Sequence, residues 1–146
     1  MSNKAFTLVE LIFVIVIIGV LSAAAIPQFS KLTDNAKISA ELSTASAVQT
    51  AIEACHGEWI ISDCDFTCGA SITKSDLDAN NGYPSDLGDS LEKILKNATT
   101  SEWTRSGTQY RGPASGSKGT SHCKTGKPCI GKYWDYNTTA GTFTLI

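Results

Sequence analysis

The sequence predicts an α+β fold in which one long amino-terminal helix, its first half membrane-spanning, packs on a small antiparallel sheet. Three observations carry this. An apolar run extends from Leu11 to Ile26, softened only by Gly19 and Ser22. Beyond Pro27 the pattern becomes amphipathic as far as Cys55. From Glu58 onward helical periodicity fades into glycine, serine, threonine and asparagine, and the chain closes on an alternating strand. The organisation expected is a short leader (1–5), a transmembrane and core helix (6–27), an amphipathic half-helix (28–57) and a globular β-rich head (58–146).

The sixteen residues Leu11 to Ile26 rise about 24 Å as helix, short of a hydrocarbon core of about 30 Å. Including Phe6 to Val9 gives 21 residues, enough to span. That longer segment contains Glu10. A carboxylate at membrane depth is costly and calls for a partner. A secretory signal peptide, with Lys4 as its basic region and cleavage after Ala23 to Ala25, leaves Glu10 unexplained. So does a simple anchor. Gly19, Ser22 and Ala23 to Ala25 form a small-residue surface suited to close helix packing.

After Pro27, which removes a donor from the helical ladder, Phe29, Leu32, Ala36, Ile38, Leu42, Ala45, Val48, Ile52 and Cys55 recur at three- and four-residue spacing, with one two-residue step at Ile38. Lys31, Asp34, Lys37, Glu41, Gln49 and Glu53 fill polar positions. Gly57 is the expected stop. A short helix is expected over Asp89 to Ala98. The closing hairpin is read as Lys132 to Tyr136, a turn at Asn137 to Gly141, and Thr142 to Ile146.

The net charge of −2 is unremarkable, but charge is sorted along the chain. Residues 62–92 hold seven acids against Lys74 alone, and residues 103–134 hold six bases and no acid. The basic stretch, interleaved with aromatic residues, has the composition of a nucleic-acid surface. A solvated face complementing the acids of a neighbouring subunit is the preferred reading, and nucleic acid is not expected as a partner. Five cysteines fit export to an oxidising compartment and leave at least one thiol unpaired. Cys123 and Cys129 enclose a short loop containing Gly126 and Pro128 and are expected to bond. Cys55 is expected to pair with Cys64 or Cys68.

Ala5-Phe6-Thr7-Leu8-Val9-Glu10, running into Leu11-Ile12, resembles the processing site of type IV prepilins and type II secretion pseudopilins. The resemblance implies a pilin-like fold. It also implies cleavage between Ala5 and Phe6 by a prepilin peptidase that methylates the new terminus. Ala5 departs from the family's usual glycine and is the next smallest residue. The Phe6 α-amine of one subunit would then meet Glu10 of its neighbour, and Pro27 matches a family proline. Leu77 to Pro84 resembles a pseudopilin segment, and Trp134-Asp135-Tyr136 with Gly141-Thr142 resembles the closing hairpin of pilin heads. The function implied is a structural subunit of a type IV pilus-like filament, either a pseudopilin or a pilin. The alternative is a minor or tip-displayed pilin for adhesion or DNA uptake. Partners implied are copies of itself, the peptidase, an inner-membrane assembly platform, minor pilins or pseudopilins, and the membrane before assembly. Its location would be the inner membrane with an exported head, then a periplasmic or surface filament.

No catalytic constellation is found. His56 and His122 each sit beside a cysteine and define no site. No cofactor and no metal is expected. Asp76, Asp78 and Asn80 offer the alternate oxygens of a calcium loop, but Gly82 falls one place late and Leu87 occupies the twelfth position. Cys64, Cys68, His122 and Cys123 match zinc by ligand type alone. Asn137, with Asp135 two residues before it and Thr139 two after, resembles an extended bacterial N-glycosylation acceptor, and Asn97 meets the simple rule.

Overall fold

The computed structural model describes residues 6–96 and 102–146. Helix α1 spans Leu8–Ile61. Then come β1 (Thr67–Cys68), β2 (Ile72–Thr73), a 3-10 turn at Lys74–Asp76, and β3 (Thr104–Ser106), β4 (Gln109–Arg111), β5 (Trp134–Asn137) and β6 (Thr142–Leu145). Strands β1 and β2 form one antiparallel pair, and β3-β4-β5-β6 form an antiparallel meander. This is an α+β pilin-type architecture. The chain divides into two units, one ending at Asn35 and one covering Ala36–Ile146.

In the first unit α1 is long and apolar enough to cross a membrane. Its large apolar side chains from Leu8 to Leu21 are exposed, as a segment solvated by lipid or by other helices must be. The helix continues through Pro27, so the proline is not a boundary between two elements.

In the second unit the buried face of α1 is Ile38, Glu41, Ala45, Val48, Ile52 and Cys55, alternating steps of three and four along one stripe. From Ala45 onward it packs with Ile72, Leu77, Leu87, Leu91 and Ile94, with Trp103 just before β3, and with the sheet residues Tyr110, Trp134, Tyr136 and Phe143. Phe143 is the hub of the aromatic part. It stacks on Trp134 with centroids 5.5 Å apart and meets Tyr110 edge-on at 5.6 Å. The alternation of β5 and β6 places Trp134, Tyr136 and Phe143 on the core face, with Tyr136 directly opposite Phe143.

Glu41 was expected on a polar surface and is instead fully buried. One carboxylate oxygen accepts from the Ala114 N–H at 2.7 Å and the Ser115 N–H at 2.9 Å. The other accepts from the Ser115 hydroxyl at 2.6 Å and the Trp134 indole N–H at 2.8 Å. A Cβ at position 112 would lie 2.8 Å from the Glu41 carboxyl carbon, so Gly112 is what lets the loop close over it. Two turns further along, Gln49 donates to the Gly141 carbonyl at 3.0 Å and accepts from the Phe143 N–H at 2.8 Å. One turn before Glu41, Lys37 donates to the Lys118 carbonyl at 2.6 Å. Three residues assigned to polar positions thus tie the helix to the loop and sheet.

The helix does not stop at Gly57. It runs one turn further, because residues on both sides of the glycine are held from the side. His56 stacks on Tyr83 with centroids 4.3 Å apart, and Trp59 lies against Gly82, where a Cβ would fall 2.3 Å from the indole. Such contacts outweigh the cost of one helical glycine, about 1 kcal/mol. Nor does 89–96 form a helix. Leu91, fully buried, has φ 63°, and a left-handed residue breaks a right-handed helix. The Lys93 carbonyl accepts from the Ala70 and Ser71 N–H groups at 2.9 and 3.0 Å, and Glu92 accepts from the Asp89 and Ser90 N–H groups. Asn97 and Ala98 lie outside the described residues. Disulfides join Cys55 to Cys68 and Cys123 to Cys129, and Cys64 is exposed.

Glu41→Gln tests the buried carboxylate. Four donors face two oxygens. An amide offers only one oxygen, so even with the Ser115 hydroxyl reversed, the Trp134 N–H is left against an NH2. The expected cost is about 1–3 kcal/mol, read from denaturant titration of the detergent-solubilised chain by tryptophan fluorescence. A variant as stable as the parent would show that this network does not hold the loop.

Burial pushes the Tyr110 phenol up to about 12, against the opposing pull of Arg105. Tyr136, whose hydroxyl donates to the Pro84 carbonyl at 2.6 Å, is raised further, again by burial. A raised phenol keeps its proton in the folded state after the unfolded chain has lost it. Stability from this source is full below pH about 10 and falls as pH rises through about 12. Tyr110→Phe should flatten that alkaline loss in a melting-temperature series, while an unchanged slope would count against it.

Candidate assembly site

The amino-terminal segment is built around the start of α1. The Thr7 carbonyl accepts the first helical bond from the Leu11 N–H, at 3.3 Å. The Glu10 N–H donates to the Thr7 hydroxyl oxygen at 3.3 Å. In return one Glu10 oxygen accepts from the Thr7 N–H at 2.9 Å and the Thr7 hydroxyl at 2.8 Å. This reciprocal pattern is a capping box. It satisfies backbone donors that the first turn would otherwise leave bare, and it places a carboxylate at the positive end of the helix. The expectation of a partner from another chain for Glu10 leaves this local one out. Thr7-Leu8-Val9-Glu10 carried the signal for a local one, threonine followed three residues later by glutamate. Phe6 is exposed. Ala5, and with it the rest of the expected leader, lies outside the described residues.

The calcium candidates are engaged by their own turns. Asp76 accepts from the Thr73 N–H and hydroxyl at 2.9 and 2.7 Å, which hold its carboxyl below the ordinary range. Asp78 accepts from the Asn80 and Asn81 N–H groups at 2.8 and 3.1 Å. Among the described residues no group of three histidine, cysteine or acidic side chains is placed to hold a metal. Cys68 and Cys123 of the zinc alternative lie in separate disulfides. Asn137 is exposed at the end of β5, and its side-chain oxygen accepts from the Thr139 and Ala140 N–H groups, both at 3.0 Å. That bond accounts for an asparagine in this turn on backbone grounds.

The six bases of 103–134 have unlike surroundings. Arg105 pairs with Asp86 and lies 5.6 Å from the Tyr110 ring centroid. Arg111 lies 5.9 Å from the Tyr133 ring centroid. Lys124, Lys127 and Lys132 are exposed on and beside the Cys123–Cys129 loop.

An exposed, span-length apolar helix opened by the Thr7–Glu10 capping box, followed by a head with a closing antiparallel meander, is the α+β architecture of a pilin. Residues 1–26 match the family model for the prokaryotic N-terminal methylation motif. The type IV narrow pilus major component of Thermus thermophilus is 40% identical over 86 residues, 52% of this chain and 74% of that protein. The type IV major fimbrial protein FimA of Dichelobacter nodosus is 39% identical over 88 residues, 60% of this chain and 53% of FimA. A fimbrial protein of Pseudomonas aeruginosa is 41% identical over 63 residues, 42% of this chain and 41% of that protein. The chain belongs to the type IV pilin family. It spans about half the length of the FimA proteins it matches. No solved structure matches it.

Thr7→Val removes the hydroxyl from both sides of the capping box and leaves only the backbone N–H for Glu10. The loss of such a cap costs about 0.5–2 kcal/mol. Amide hydrogen exchange in micelles should show faster exchange confined to Leu8 to Leu11. Unchanged protection there would argue against the cap.

Proposed function

We propose that this chain is the structural subunit of a type IV pilus and not a secretion pseudopilin. The observation that carries the reading is Glu10 in the first turn of an exposed, span-length apolar helix, and the likeness to major pilus and fimbrial proteins favours the pilus over the secretion filament. Residues 1–5 are a leader, cleaved between Ala5 and Phe6, and Phe6 is methylated by the same peptidase. Before assembly, residues 6–27 hold the subunit in the inner membrane with the head exported. In the filament the same residues form the core. The Phe6 amine of an incoming subunit meets Glu10 of its neighbour, and methylation leaves that cation in place. In an apolar medium an unpaired charge is heavily penalised, so the pairing fixes axial register. Pro27 gives the helix local freedom as it leaves the bilayer. The protein acts as a scaffold, and its partners are other copies, the peptidase, the assembly platform and minor pilins.

Mass spectrometry of sheared filaments should return a chain beginning at N-methylated Phe6. Glu10→Gln should be inserted and cleaved yet polymerise poorly. A mature terminus after Ala25 would replace this reading with an ordinary signal peptide. Parental filament yield from Glu10→Gln would remove the register argument.

A further inference from the structure

Within the unit Ala36–Ile146, the exposed large hydrophobic side chains among the described residues are four isoleucines. Ile60 and Ile61 are 63% and 76% exposed, Ile130 is 46% and Ile146 is 51%. Three of the four sit amid charge of predominantly one sign. At the end of α1, Ile60 and Ile61 are accompanied by exposed Glu58, Asp63 and Asp65. The nearest base, Lys74, is engaged with the Ser62 and Asp63 carbonyls, at 3.4 and 3.0 Å. Ile130 follows the Cys123–Cys129 disulfide, among exposed Lys124, Lys127 and Lys132, in a stretch without an acid.

We propose that these two patches meet between copies: the disulfide loop of one head docks on the end of α1 in its neighbour. Ile130 lies against Ile60 and Ile61, and the three lysines face Glu58, Asp63 and Asp65. The two surfaces are opposite in sign and each has an apolar centre with a charged rim, the anatomy of a protein contact. The contact is heterologous, one patch against a different patch, so it propagates along a filament instead of closing a dimer. Covering the isoleucines supplies attraction, and the rim charges set partner and register. The short disulfide loop presents its lysines with little conformational freedom to lose on docking. This interface rests on the filament reading above, but uses none of the residues that reading assigns to assembly.

The test uses purified filaments and a carbodiimide, which joins a lysine to a carboxylate only in direct contact. Wild-type filaments should give a ladder of dimers and higher species on denaturing gels. Peptide mapping should place links between Lys124, Lys127 or Lys132 and Glu58, Asp63 or Asp65. The triple variant Lys124→Glu, Lys127→Glu, Lys132→Glu should lower sheared-filament yield at least about threefold, because modest attractions between exposed charges become repulsions. Adding Glu58→Lys, Asp63→Lys and Asp65→Lys should restore it. Wild-type filaments should also fragment more readily as ionic strength rises, since exposed charges are screened. Filaments of normal yield from the triple variant, together with no such links in the wild type, would overturn the interface and leave the filament reading standing. Loss of bound DNA from the triple variant at unchanged filament yield would overturn it in favour of a nucleic-acid surface. Failure of the wild-type chain to form filaments would remove both readings.

Discussion

The head depends on one buried carboxylate. Glu41 sits on the packed stripe of α1 and accepts four hydrogen bonds from two backbone N–H groups, a hydroxyl and an indole. All four donors are neutral. Taking a carboxylate out of water is costly and is repaid only by a complete set of partners. That requirement couples parts of the chain far apart in sequence. The loop around Ala114 must be in place, Gly112 must allow its approach, and β5 must be registered so that Trp134 reaches inward. Trp134 then stacks on Phe143, which is hydrogen-bonded through its N–H to Gln49 of the same helix. Hydrophobic area alone would tolerate several packings of a sheet on a helix stripe. A saturated carboxylate tolerates far fewer.

The two disulfides act at different levels of this arrangement. Cys55–Cys68 ties the last buried turn of α1 to the small β1–β2 pair, where His56, Trp59 and Tyr83 continue the packing past Gly57. Cys123–Cys129 closes an exposed loop between β4 and β5, and the Ile130 N–H beyond it donates to the Thr120 carbonyl at 2.9 Å. The first strengthens a core already formed. The second gives shape to a surface that carries lysines and has little core of its own.

Much of this was legible in the sequence, for identifiable reasons. The helix announced itself by an unbroken apolar run and then by three-and-four spacing. The closing hairpin showed through alternation around an Asn–Gly-bounded turn. What was misread was polar. Glu41 falls three residues after Ile38 and four before Ala45, squarely on the apolar stripe, yet its chemistry suggested solvent. Its donors lie more than 70 residues away, and no local pattern records them. Leu91 is the converse case. Asp89 to Ala98 has ordinary helical composition, but over the described part, 89–96, burial of Leu91 and the two N–H groups of the β1–β2 turn that bind the Lys93 carbonyl override propensity. For Glu10 the nearest partner is local, and Thr7 at capping distance is the signal for it.

Glu10 and Glu41 are two acids of one helix with opposite kinds of satisfaction. Glu41 is held by four donors from three other residues, none of them on α1, and cannot exchange one without disturbing the core. Both side-chain bonds of Glu10 come from Thr7 and fall on the same oxygen. Such a local cap would keep the carboxylate from standing bare in an apolar medium. It is also replaceable, because a cationic amine adds the attraction of a full opposite charge, largest where water is excluded, that a neutral hydroxyl lacks. In the proposed filament a neighbour's α-amine would therefore displace the threonine hydroxyl or share the carboxylate through its second oxygen, while the Thr7 N–H stays in place. Under the proposed assembly the same side chain serves the lone subunit and the filament, and the positive charge of the incoming amine decides which arrangement prevails.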